Sequence, residues 1–193
     1  MILYYIYDLV TGRWSGSGDR KLNEIYIDNY QRYLRSLDLD SLEESILSWN
    51  EENNSKGTIR FDKISKTLYV IYLSFYKTYH NKAKYDYEHI FPKAKYQSFY
   101  KQYELPLGGL GNLMLLDAKA NRSKQDDHIL RNTKTIAELK KDFIEIHEYP
   151  SEKIIEKLDD MIRDEKFDEL KAVLNSRSKK IITNLKGKLA KSF

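Results

Sequence analysis

Through most of the chain, apolar residues recur every three or four positions, the spacing that lines one face of an α-helix. Ile25, Tyr30, Tyr33 and Leu34 mark one such stripe, and Leu42, Ile46 and Leu47 a second. Breaks fall where turn residues cluster: SGSGD at 15–19, DLDS at 38–41 with Ser41 as a candidate N-cap, and NNSKG at 53–57. The apolar run TLYVIYLSFY at 67–76 predicts a buried helix over about 64–80. Near the other end, Ile136, Leu139, Phe143 and Ile146 fit one stripe, and Ile154, Ile155, Leu158 and Ile162 another, separated by Pro150 and the candidate N-cap Ser151. A last helix sets Leu170, Leu174, Ile181, Leu185 and Leu189 on a face opposite most of its lysines.

Between these stretches the period changes. A short β-like piece, DYEHIF, is followed by a small helix expected near 97–103, the loop ELPLGGLG, a second β-like piece NLMLL, and a polar helical segment DAKANRSKQDDHILRN. The order is strand, long loop, strand, helix. Three regions follow: a helical lead-in over 1–80, this central unit over 81–132, and a helical region over 133–193 that ends in a basic helix.

Composition narrows the class. The 193 residues are 41% hydrophobic, enough for a folded core, and contain no cysteine, which excludes disulfides and thiolate metal sites. Any metal must rest on oxygen or imidazole nitrogen, and a cytoplasmic location is expected. The N-terminal MILYYIYDLV has no basic lead and no small-residue cleavage site. The longest apolar run is about half of the roughly 20 residues a membrane span needs, so no membrane partner is expected. Net charge is only +4, but residues 171–193 carry seven bases and no acid, leaving 26 bases against 29 acids elsewhere. Basic surface is therefore local. The excess of tyrosine, 16 in all, accompanies much Lys, Ile and Asn and carries little functional weight.

Chemistry concentrates in YDYEHIFPKA at 85–94, where Glu88 directly precedes His89. Histidine is the side chain best suited to take a proton from water near neutral pH, and an adjacent carboxylate can hold a divalent cation. Neighbours on a strand point to opposite faces, so the two can share a site only where the strand bends or ends, as Pro92 suggests. Asp86 lies two residues earlier, on the same strand face as Glu88, and is a further candidate for the metal. Downstream, Asn112, Asn121, Arg122 and Lys124 supply the polar groups of a second half. Glu88 with the amide oxygen of Asn121 suits one Mg²⁺ ion that keeps several waters and takes the rest of its shell from a phosphate. Asp126, Asp127 and His128 read as surface charge, and His80 and His147 as histidines near helix ends with no catalytic role.

The pattern E-H-I-x-P, then G-N-L about 22 residues on, then N-R-x-K-x-D nine residues after the first asparagine, resembles the HNH (His-Me finger, ββα-metal) nuclease finger. The resemblance implies a mainly α protein with an embedded ββα-metal finger. It implies metal ligation by Glu88 and Asn121, general-base catalysis by His89 and positioning of that base by Asn112. Lys124 matches a lysine that often follows the last ligand by three, and Lys93, Lys95, Lys101, Lys119 and Arg122, near the site in sequence, are the further expected phosphate contacts. Glu stands where the family more often has Asp or His, and Asn where it more often ends on His. Together with GRWSGSGDRKL at 12–22, the finger resembles the C-terminal half of GmrSD-type proteins, which serve modification-dependent restriction and phage defence. The implied activity is Mg²⁺- or Mn²⁺-dependent hydrolysis of double-stranded DNA, modified or phage DNA included, as nicks where one finger acts on one strand. In that family a ParB-like nucleotide-binding domain with a D-G-Q-x-R motif comes first; the motif is absent here, so a partner or a further part of the protein is expected to supply it. The competing readings are an inactive finger that only docks on DNA and an RNA-cleaving toxin-type nuclease.

Overall fold

The computed structural model describes residues 2–13, 15, 37–77, 84–118, 121–122, 128–131 and 141–192. Its helices are α1 (Ile2–Thr11), α2 (Leu39–Asn54), α3 (Lys63–Ser74), α4 (Lys93–Tyr96), α5 (Lys141–Ile146), α6 (Glu152–Asp164) and α7 (Asp168–Ala190). Two strands, β1 (Tyr85–His89) and β2 (Leu113–Asp117), form an antiparallel pair, with short 3₁₀ turns at Leu110–Asn112 and Ile129–Arg131. The protein is mainly helical, as the periodicity predicts. The stripe at Ile25 to Leu34, the residues Ile136 and Leu139, and His80 lie outside the described residues.

Local chemistry sets the helix ends. The cap of α2 is Asp38 rather than Ser41: the Asp38 carboxylate accepts the Ser41 N–H at 2.7 Å. Asp62 caps α3 in the same way through the Ser65 N–H at 2.7 Å. An aspartate at this position satisfies one of the four N–H groups that a helix start leaves open. The apolar helix stops at Ser74, earlier than expected, because its last turn tightens and the Tyr76 N–H bonds the Leu73 carbonyl at 2.9 Å. The small helix comes earlier than expected too, at 93–96 behind Pro92, whose φ of −59° is already helical.

Two hydrophobic cores hold the molecule. One gathers Ile6 and Val10 of α1, Leu42 and Ile46 of α2, and Leu68, Tyr69, Tyr72 and Leu73 of α3 against Ile181, Ile182, Leu185 and Leu189 of α7. The other packs Ile90, Phe91, Tyr96, Leu105 and Leu107 with Ile155, Leu158 and Phe167, and with Leu170 and Leu174 of α7. One long helix therefore serves both cores, its first turns in one and its last turns in the other. β2 does the same across its two faces: Leu113 and Leu115 meet the first core, Met114 and Leu116 the second. This double burial explains why LMLL at 113–116 is uniformly apolar instead of alternating. Among the described residues no helix is long and apolar enough to cross a membrane.

Candidate functional site

The register of the sheet assigns every residue of β1 to a face. His89 pairs with Leu113 and Tyr87 with Leu115, whereas Glu88 pairs with Met114 and Asp86 with Leu116. Residues directly opposite in an antiparallel pair share a face, so His89 and Tyr87 look toward the first core and the acids toward the other side. Lys66 of α3 sits over the Tyr87 ring, 5.4 Å from its centroid, which agrees with that placement. Glu88 and His89 thus lie on opposite faces, with His89 at the last position of the strand.

The segment 57–61, between α2 and α3, lies across the end of β1 as a strap. Its Ile59 carbonyl accepts a hydrogen bond from His89 Nε2 at 3.1 Å, and Phe61 stacks on the imidazole with ring centroids 4.0 Å apart and planes 20° from parallel. With Nε2 carrying the proton, Nδ1 holds the lone pair, the form a general base requires. Stacking of this kind contributes about 0.5–1.5 kcal/mol beyond area burial, enough to favour one ring orientation. The strap is itself held by Gly108, whose N–H bonds the Thr58 carbonyl at 2.8 Å. A Cβ at Gly108 would fall 2.2 Å from the Arg60 carbonyl oxygen, so the close approach requires glycine.

Asn112 is fully buried and ties together three pieces of backbone. Its Oδ1 accepts the Phe91 N–H at 2.8 Å, and its Nδ2 donates to the Leu107 carbonyl at 2.9 Å and to the Phe91 carbonyl at 3.3 Å. Its own carbonyl accepts the Ile90 N–H at 2.9 Å. Asn112 therefore fixes the chain just after His89 through backbone, with its amide spent on Phe91 and Leu107.

On the acid face, Asn121 lies in helical backbone shortly after β2, and its Nδ2 reaches Asp86 Oδ2 at 3.5 Å, the long limit of a hydrogen bond. The structure thus brings Asn121 to Asp86, the strand-face neighbour of Glu88. Arg122 turns back on its own helix, donating from Nε to the Ala118 carbonyl at 3.2 Å. Lys93 is exposed at the start of α4. Lys119 and Lys124 lie outside the described residues, as do Asp126, Asp127 and most of 12–22. Among the described residues no group of three or more His, Asp and Glu side chains gathers as a metal site. The donors on the acid face, two carboxylates and one amide, are hard oxygens of the kind a Mg²⁺ or Mn²⁺ ion prefers.

Several polar residues behind the site differ from their sequence reading. His128, taken as surface charge, is fully buried; its Nδ1 lies 3.3 Å from the Ile90 carbonyl and its ring meets Phe91 edge-on. Arg177, counted among the bases of the last helix, is buried with 3% exposure. Its guanidinium donates to the carbonyls of His147 at 2.8 Å, Gly111 at 2.7 Å, Leu110 at 3.3 Å and Leu113 at 2.8 Å, and to Tyr69 Oη at 3.2 Å. Five N–H donors in a rigid fork suit such a carbonyl nest. Tyr69 passes a short hydrogen bond on to His147 Nδ1. Burial, and then the Arg177 charge, push the His147 imidazole well below its usual range, so His147 is a neutral buried acceptor and not a charged helix cap. Burial also raises the Tyr69 phenol to about 12, keeping its proton available to donate.

Arg177 thus clamps the turn that carries Asn112 and the first residue of β2. Close packing completes the clamp, since a Cβ on Gly111 would lie 2.1 Å from the Leu174 carbonyl of α7. The signals were present in the sequence as the glycines of PLGGLG and the RF of GTIRF. Nothing in their spacing says what they approach.

Comparison with known proteins returns no match: no family model fits the chain, and no curated protein or solved structure is significantly similar to it.

Proposed function

We propose that the chain is a metal-dependent HNH-type endonuclease that hydrolyses DNA phosphodiester bonds as the effector of a restriction or anti-phage system. The observation that carries the chemistry is that β1 ends at His89, where residues of its two faces can meet at one substrate. His89 is oriented there by the Ile59 carbonyl and Phe61, while Asp86, Glu88 and Asn121 lie on the other face. The defence role rests on the resemblance of the sequence to GmrSD-type proteins, and a ParB-like nucleotide-binding partner belongs to that same reading.

His89 Nδ1 takes a proton from water as the water oxygen bonds to phosphorus. The P–O ester bond opposite breaks, and the leaving oxygen is protonated from solvent. Asp86, Glu88 and the amide oxygen of Asn121 would hold a Mg²⁺ or Mn²⁺ ion, which when bound neutralises charge on the phosphoryl group and the leaving oxygen. Asn112 keeps the strand end in place by bonding Phe91 on both its N–H and its carbonyl. Lys93 and Arg122, with Lys119 and Lys124, contact phosphates.

Supercoiled plasmid incubated with the protein and Mg²⁺ or Mn²⁺ tests the assignment. Nicking is expected, reduced about 100-fold or more in His89→Ala, as for loss of a general base, and impaired in Asn121→Ala. Equal rates in wild type and His89→Ala would overturn the assignment of His89 as the base, and no cutting by any of the proteins would instead favour a finger that only docks on DNA or one that needs its missing partner.

A further inference from the structure

Beside the strap lies a cleft of about 560 Å³ lined by Thr58, Arg60, Lys93, Gln97, Tyr100 and Lys101, with Ile59 in the same wall. A space of that size falls within the range of small-molecule pockets, but such pockets are mostly apolar, and this one presents three cations, an amide and two hydroxyls. Arg60, Lys93 and Lys101 are all exposed, and among the described residues none of their side chains has an acid or hydrogen-bond partner. On α7, by contrast, several bases meet acids: Lys179 meets Glu51, Lys180 meets Glu148, and Lys186 meets Asp40 and Glu43. Three like charges held together without a counter-charge raise the local potential and attract a polyanion.

We propose that this cleft is a phosphate track for one strand of nucleic acid leading to His89, with Arg60, Lys93 and Lys101 each holding backbone phosphates. It rests on, and deepens, the nuclease reading. Arg60 comes from the strap and not from the strand, strand, helix unit, so the segment that orients the base also binds the substrate. Ile59 carries both functions: its carbonyl holds His89 Nε2 at 3.1 Å and its residue lines the cleft. Gln97 and Thr58 add neutral donors of the kind that position a backbone without reading sequence. A polynucleotide in the track would press on the strap next to the base it serves.

The test measures binding separately from cutting. A fluorescent 20-base-pair DNA duplex and a single-stranded 20-mer RNA are titrated by anisotropy in EDTA over a range of salt. The proteins are wild type, the triple variant Arg60→Gln/Lys93→Gln/Lys101→Gln, and the control Lys179→Gln/Lys180→Gln on α7. Each phosphate contact contributes about 0.9 to the slope of log K against log salt on duplex DNA and about 0.7 on single strands. The triple variant is therefore expected to lose about 2–3 units of slope on its preferred polymer, and the control none. The polymer on which the loss appears identifies the source of the phosphates. An unchanged slope in the triple variant, an equal loss in the control, or no binding by wild type at low salt would each overturn the track. No plasmid nicking by wild type, with the slope loss intact, would refute the nuclease reading and leave the track as a docking surface. Unchanged far-UV circular dichroism verifies that the exposed substitutions leave the fold in place.

Discussion

The bases of α7 and those of the strap cleft carry the same charge in opposite surroundings. On α7, Lys179, Lys180 and Lys186 face acids of other elements, Lys188 lies 4.3 Å over the Tyr76 ring, and Arg177 is buried in a nest of carbonyls. In the cleft, Arg60, Lys93 and Lys101 meet no acid among the described residues. A run of seven bases in 23 residues is therefore mostly structural, while three bases spread over about 40 residues form the candidate binding surface. Charge density along a chain and charge density in space are different quantities. Only the second attracts a polyanion.

The largest effect expected from this difference belongs to Arg177. Arg177→Ala leaves several buried carbonyls without donors, each costing about 1–3 kcal/mol, and opens a cavity beside Tyr69 and His147. The denaturant midpoint should fall by at least about 3 kcal/mol in stability. Arg177→Lys should recover little, because one ammonium cannot reach four carbonyls and a phenol arranged for a fork. An Arg177→Ala protein as stable as wild type would mean that the base belongs with the solvated lysines after all.

Gly108→Ala comes next. The added methyl meets the Arg60 carbonyl, which is backbone and can yield only if the strap moves. Overpacking of this kind typically costs about 1–3 kcal/mol. Because the same strap holds His89, the variant should also lose His89-dependent nicking while keeping the exposed cations of the cleft. Measuring unfolding and nicking on one preparation separates the two losses. Full activity in a destabilised Gly108→Ala would show that strap and base are not coupled.

How much of this was legible in the sequence depended on whether a residue's partner is near in the chain. Helix periodicity and the two strands were readable because a helix or strand face is a local repeat. The E-H-I-x-P, G-N-L and N-R elements were readable as a spaced pattern, although the amide of Asn121 lies against Asp86 and not Glu88. Asn112 was marked as a positioning residue, but its targets, the Phe91 and Leu107 backbone, appear only once the loop closes. Ile59, Phe61 and Arg177 were unreadable for one reason. Each acts on a residue about 30 or more positions away, through a carbonyl, a ring face or a guanidinium, and none of these leaves a periodic trace.

His147 gives a smaller and pH-dependent effect. In the unfolded chain its imidazole takes a proton near pH 6.5. In the folded protein, burial and the neighbouring Arg177 hold its affinity for protons well below that. Between the two values the unfolded state binds more protons, so stability is fully present above about pH 6.5 and declines as pH falls toward the folded value. The slope contributed is up to about 1.4 kcal/mol per pH unit. Among the described residues Tyr69 and Phe143 meet the ring, and Arg177, charged at these pH values, lies close enough to lower its proton affinity. His147→Gln should flatten the fall in denaturant midpoint between pH 7 and pH 5. An equally steep fall in the variant would assign it to other groups.

The smallest effects separate the lysines of α7 from one another. Lys186 donates to Asp40 at 2.5 Å and to Glu43 at 2.7 Å, and these hydrogen bonds raise its ammonium above the usual lysine range. Among the described residues Lys179 meets only Glu51, at 3.4 Å, with both side chains more than half exposed. Exposed single pairs contribute little because water screens them and ordering two long side chains opposes them, whereas a shared donor between two acids forms a small network. Lys186→Gln should therefore lower the unfolding midpoint slightly at low salt, and Lys179→Gln should leave it where it is. At 1 M salt the Debye length shrinks to about 3 Å, and the two variants should converge. Convergence would show that α7 uses its surface charge for pairing within the protein. A Lys186→Gln deficit that persists at 1 M salt would place the contribution in hydrogen-bond geometry and not in charge.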